Sequence, residues 1–208
     1  MTETQILLGV PKIIENAESL YSDALFLYEN SRGERAYALF QLSIEEIGKA
    51  LMMVGSLLFD NIENIEVKNR IINSFKNHRK KSNISIGLDS FLWEFIKTEN
   101  PEKYEMMVLG SFKEHANVAI TNEKKNQSLY VSFNGNKFSS PSESISIEEV
   151  KEIKAKAGLR VLLEKKLLTA IVNNLDSLKK EIIELEYDSN KTSEEQQKEF
   201  LRIMNKYK

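Results

Sequence analysis

The amino-acid sequence predicts an all-α protein, a helical bundle with one small hairpin or loop insertion near residues 128–146. Three observations carry this. Only 3 prolines and 8 glycines punctuate 208 residues, so long tracts run without a helix breaker. In those tracts apolar residues recur with the 3.6-residue period of a helix. In one short stretch the pattern changes to alternation around turn residues.

The first helix runs to about Asn30. Ile6, Val10, Ile13, Ile14, Ala17, Leu20, Tyr21 and Ala24 form its apolar stripe, with Glu15, Ser19 and Asp23 off it. Ser31-Arg32-Gly33 breaks it, and a second helix from about Glu34 to Phe59 is apolar on most of its circumference, which predicts a central position. A third helix is expected over Ile65 to Lys81, and a shorter one around Leu88, Phe91, Leu92, Phe95 and Ile96. Pro101 suits the first turn of a fifth helix reaching about Asn122. Between Ser128 and Ser146, Leu-Tyr-Val-Ser-Phe alternates and Asn134-Gly135-Asn136 signals a turn. Ser146 then stands as an N-cap with Glu149 at the capping-box position, opening a helix that could reach Tyr187 with a joint at Gly158. A last polar helix is expected from Ser193 to Tyr207. These readings divide the chain into a helical domain over residues 1–190 and a polar helix or tail over 191–208.

Composition narrows the functions. Hydrophobic residues make up 41% and charged residues 29%, the balance of a chain that folds into a globule. The absence of cysteine excludes a disulfide scaffold, a thiolate metal site and a thiol nucleophile. Two histidines, His78 and His115, make a histidine-rich metal centre a poor expectation. Glycine-rich phosphate loops, a Gly-x-Ser-x-Gly elbow and a Glu-x-x-His pair are missing from the sequence, so no cofactor and no metal are expected. The N-terminal residues carry no secretory pattern, and no apolar window reaches the roughly 18 residues a bilayer span needs, so a cytoplasmic protein without a membrane partner is expected. A net charge of −2 makes no global case for nucleic acid; local clustering must supply one.

Two segments could carry chemistry. On the second helix, Arg35, Leu39, Leu42, Glu46, Lys49 and Met53 fall along one face at 100° per residue, with Glu45 beside Lys49 at i, i+4. The ordinary reading is a helix-stabilising ion pair. Yet the apolar surroundings argue that Glu46 and Lys49 are partly buried and need partners. Further on, Lys68, Arg70, Lys76, Arg79, Lys80 and Lys81 cluster in a stretch with no acidic residue between Glu66 and Asp89. That is a phosphate-sized electrostatic footprint, although such runs are more often solvated faces. His78 sits within it, one turn before Lys81, and imidazole is the side chain that titrates nearest neutrality. Glu46, Lys49, His78 and Lys81 are therefore expected to meet in one cluster between the second and third helices. His115 has no suggestive partner.

Three segments in this order resemble the AbiV family, a HEPN-related family of bacterial abortive-infection proteins. They are A-x-x-L-x-x-x-S-x-E-E-x-G-K-A at Ala36 to Ala50, F-x-x-H-x-x-K at Phe75 to Lys81, and L-Y-V-x-F followed by S-P at Leu129 to Pro141. The resemblance implies a HEPN-like helical bundle and a role in phage resistance, with growth or translation arrested through attack on RNA. The ribonucleases of the wider group carry an Arg and a His with four to six residues between them, whereas here seven residues separate Arg70 from His78. If the chain is a metal-independent endoribonuclease, His78 is the acid or base, Arg70 binds phosphate, and Glu46 and Lys49 orient the site. Lys76, Arg79, Lys80 and Lys81 would then bind RNA. A symmetric homodimer would supply a second histidine. The competing expectation is a non-catalytic helical dimer that binds a ribosomal partner or a phage-encoded protein, the latter also a candidate trigger.

Overall fold

The computed structural model describes residues 1–94 and 101–186, together with residues 195, 199, 202, 203 and 206. Helix α1 spans Glu3–Glu29 and opens with a capping box, in which Thr2 accepts from the Gln5 amide while the Gln5 side chain accepts from the Thr2 amide. Ser31, in the left-handed region at φ 58°, turns the chain into α2, Gly33–Phe59. Next come α3 (Ile65–Ser74), α4 (His78–Glu94), α5 (Pro101–Ala116) and α6 (Val118–Gln127). A two-stranded hairpin, β1 (Ser132–Phe133) and β2 (Phe138–Ser139), leads through the short α7 (Pro141–Ser144) to α8 (Ile147–Asn173) and α9 (Leu175–Glu186). Among the described residues the protein is all-α apart from that hairpin, as its periodicity predicts.

Helix α2 is the axis of the bundle, packed chiefly against α1, α8 and α4. At one end Ile6, Val10, Met53, Leu57, Leu168 and Ile171 close a core shared by α1, α2 and α8. At the other, Ala24, Tyr37, Phe40, Ile44, Val150 and Ile153 form a second. Helix α2 is apolar nearly all round because three neighbours cover it.

Several boundaries differ from the sequence reading, each for a local reason. The helix expected over Ile65 to Lys81 is two helices, because Asn77 caps a new one: its Oδ1 accepts from the Lys80 amide at 3.0 Å. The residues assigned to a separate short helix around Leu88 continue α4, as far as the described residues go. The fifth helix breaks at Asn117, whose Nδ2 donates back to the Lys113 carbonyl at 2.9 Å, and α6 carries the chain on to Gln127. Ser146 and Glu149 form the expected capping box, but Gly158 is no joint. Helix α8 is continuous there, and a β-carbon at Gly158 would lie 2.6 Å from the Tyr21 hydroxyl, so glycine admits α1. The break comes instead at Asn174, which bonds the Ala170 carbonyl at 2.8 Å. Most of the helix expected from Ser193 to Tyr207 lies outside the described residues, as does the junction at residues 190 and 191. Of the described positions there, Ile203 is buried in the first core and Lys206 pairs with Glu181 at 2.7 Å.

Candidate functional site

The face of α2 turned toward α4 and α6 carries Tyr37, Gln41 and Glu45 at four-residue spacing, all buried. Glu45 is 1% exposed, a carboxylate that must be compensated where it stands. Two ammonium groups and one imidazole converge on it. Lys125 Nζ, from α6, lies 2.7 Å from Oε1. From α4, Lys81 Nζ lies 3.7 Å from Oε2, and His78 Nδ1 bonds the same oxygen directly. Lys81 and Lys125 are each 5% exposed, whereas half of the His78 side chain reaches solvent. The arrangement is thus a buried anion holding two buried ammonium groups and tethering one imidazole at the surface.

Backbone proximity makes this possible. A β-carbon at Gly48, one turn from Glu45 on the same face of α2, would sit 2.0 Å from the Lys81 carbonyl oxygen. Glycine there lets the start of α4 lie against α2, which brings His78 and Lys81 within reach of Glu45. Nearby, Gln41 Nε2 donates to Ser82 Oγ at 3.0 Å, a second buried polar contact between the same two helices. Desolvation pulls the Lys81 ammonium below the usual lysine range; Glu45 and then Glu46 oppose that pull, and Lys49 and Lys125 add to it.

The expected cluster therefore forms around a different carboxylate. One residue on a helix is 100° of rotation, so adjacent Glu45 and Glu46 face different neighbours. Glu46 pairs with Lys49 at 2.6 Å and accepts from Asn16 of α1 at 3.2 Å, while His78 and Lys81 go to Glu45. Arg70 belongs to α3, not to the helix of His78, and its guanidinium is engaged by Asp60 at the end of α2 at 2.6 Å. Of the basic run, Lys81 is turned inward and out of reach of a ligand in solvent. Lys80 donates to Ser74 at 2.6 Å and Lys68 pairs with Glu63 at 3.4 Å. Lys76 and Arg79 are exposed on either side of His78, and no ion pair ties them among the described residues. Lys125, absent from the sequence reading, is 80 positions from Glu45. The fifth helix read from the sequence ended at about Asn122, short of it.

A second polar concentration lines a cleft of about 670 Å³ between α5, α6 and α8. There the guanidinium of Arg160, 2% exposed, bonds Glu114 at 2.8 Å, and Lys156 lies 3.3 Å from the same carboxylate. Burial alone would raise the Glu114 carboxyl, but Arg160 and then Lys156 outweigh it and hold it below the ordinary carboxylate range. Burial, with Glu149, Glu152 and Glu114 nearby, pushes the Tyr37 hydroxyl well above the usual phenol range. His115, on the outer side of α5, is exposed.

No described helix is long and apolar enough to cross a membrane. Among known proteins, no curated sequence and no solved structure matches this chain. A family model described as AbiV, of the HEPN group, matches residues 5–160. That span holds α1 to α7, the Glu45 cluster and the first half of α8. The chain belongs to the HEPN-type AbiV family, whose role is antiviral, by abortive infection.

Proposed function

We propose that this protein arrests growth or translation in infected bacteria by binding RNA across the surface of α3, α4 and α6 and cleaving it with His78. The observation that carries the reading is the buried Glu45 carboxylate bonded to Nδ1 of a half-exposed histidine. A carboxylate that accepts the Nδ1 proton fixes the imidazole tautomer and leaves the Nε2 lone pair for proton transfer. Among the described residues Nε2 has no protein partner, so it is available to take the proton of a ribose 2′-hydroxyl. Lys76 and Arg79, exposed beside it, supply the positive charge that phosphate binding and a crowded phosphorane need. Glu45 and Lys125 position the histidine and do not touch substrate. Cleavage also needs an acid for the leaving oxygen, and a homodimer that sets two copies of His78 across one groove supplies it.

Incubating purified protein with single-stranded RNA tests the reading. Wild type is expected to cut, and His78→Ala is expected to be inactive with helical content and melting temperature nearly unchanged, because that side chain is half exposed. Sedimentation equilibrium is expected to give twice the chain mass of 24.0 kDa.

One observation favours a second reading. Glu45 binds α2, α4 and α6 together through two lysines as well as the histidine, which is also how a structural network is built. A non-catalytic dimer that recognises a phage-encoded or ribosomal partner would use the same fold. It is distinguished by intact RNA in the assay together with phage resistance that survives His78→Ala.

A further inference from the structure

Immediately after α6 the chain presents an aromatic surface that the cleavage reading leaves unused. Tyr130, Phe133 and Phe138 are 67%, 59% and 73% exposed, large rings left in water on a protein with ample core to receive them. They are held in place. Asn134 Oδ1 accepts from the amides of Asn136 and Lys137 at 3.2 and 3.1 Å, and Gly135 takes the positive φ, 88°, that the turn requires. Phe133 and Phe138 are direct cross-strand partners, so both rings lie on one face of the ribbon, with centroids 4.8 Å apart.

Position and charge say what the face receives. The Tyr130 amide donates to the Asn126 carbonyl at 3.0 Å, which continues the helical path of α6 by one more turn. Tyr130 is five residues from Lys125, at most about 18 Å of chain, and Lys125 bonds the carboxylate that holds His78. At roughly 3.4 Å per stacked nucleotide, one strand spans from His78 to the ribbon in a handful of nucleotides. From Lys124 to Ser142 the chain has lysines and no acidic residue. Lys124 is committed to Glu149 and Lys125 to Glu45, whereas Lys137, next to Phe138, is exposed and acts on Glu143 only through space, so it can meet a phosphate. An acid-free segment with an exposed cation next in sequence to an exposed aromatic ring fits single-stranded RNA, whose bases stack on rings while its phosphates seek lysine.

We infer that Tyr130, Phe133, Phe138 and Lys137 form a base-stacking platform that holds the unpaired nucleotides flanking the position attacked at His78. The inference rests on the RNA reading above and names the form of RNA that site takes.

Fluorescence anisotropy with a labelled 2′-O-methyl RNA single strand, which lacks the attacking hydroxyl, tests it without cleavage. Phe138→Ala and Tyr130→Ala are each expected to weaken binding about 5- to 150-fold, the effect of losing one stacked base, with the salt dependence unchanged. Arg79→Ala is expected to reduce the slope of log affinity against log salt by about one. Saturable binding by wild type that both aromatic variants retain overturns the platform and leaves RNA binding standing. No binding by wild type overturns the RNA reading and the platform with it. Variants that bind RNA normally yet sediment as monomers where wild type is dimeric assign the rings to a second copy of the chain, which also overturns the platform.

Discussion

Replacing Glu45 with Gln is the sharpest perturbation of this fold, because it keeps the shape of the side chain and removes only its charge. Lys81 and Lys125, each 5% exposed, are then left buried without the carboxylate that binds both. Removing one partner from a buried ion pair costs about 3–5 kcal/mol, most of it the desolvation of the stranded charge. Glu46 still acts on Lys81 from a distance, which puts the cost toward the lower end. For a chain of this size each kcal/mol moves the melting temperature by about 2–4 °C, so at about 3 kcal/mol a fall of roughly 6–12 °C is expected by circular dichroism. Glu46→Gln is the control. Its pair with Lys49 is partly solvated, and such pairs contribute about 1 kcal/mol or less. The double variant Glu45→Gln, Lys125→Met should recover part of the loss, because one of the two stranded charges is gone. A loss from Glu45→Gln no larger than that from Glu46→Gln would refute the claim that Glu45 anchors the cluster.

Gly48→Ala places a β-carbon on the Lys81 carbonyl and is expected to cost about 1–3 kcal/mol or more by forcing α4 off α2. Gly55→Ala, on the same helix with nothing within 4 Å, should gain up to about 1 kcal/mol from helix propensity; urea denaturation of both variants checks the contrast. Lys81 has a folded pKa lowered from 10.5, so the unfolded chain binds its proton more tightly and stability rises with pH from the folded value up to 10.5. Denaturation across that alkaline window should show a flatter rise in Lys81→Met. Glu114 has a folded pKa lowered from 4.5; its contribution is present above 4.5 and lost as pH falls through the folded value. Acid melts of Glu114→Gln should therefore begin from lower stability and lose less of it in that range.

Helices α1, α2 and α8 were legible in the sequence because each buries a stripe, and a stripe imprints its period. The breaks at Asn77 and Asn117 were not. A capping asparagine inside a polar run looks the same as an asparagine on a solvated helix face, and only the hydrogen bond to a neighbouring main-chain group tells them apart. The same limit governs the site. Two acids on an apolar helix announce that some charge is buried, but choosing between Glu45 and Glu46 requires knowing which neighbour covers which side of α2. That knowledge lies in α1, through Asn16, and in α6, through Lys125. His78 was found because imidazole is chemically conspicuous, whereas Lys125 was one lysine among many.

A buried carboxylate shared by two lysines is a poor way to gain stability, since well-packed apolar residues of similar volume commonly do as well or better. The value of the Glu45 cluster must then lie in what it positions. It fixes Nδ1 of His78 and sets the register of α4 and α6 against α2, and Gly48 serves the same end by letting the Lys81 backbone approach. The triple variant Glu45→Leu, Lys81→Met, Lys125→Met separates the two roles. It removes every fully buried charge of the cluster together, so no ion is stranded, and its stability should fall within about 1–2 kcal/mol of wild type or exceed it. Its imidazole, no longer tethered, should lose RNA cleavage and phage resistance. A triple variant that is as stable as wild type and still protects against phage would show that the cluster positions nothing the function needs.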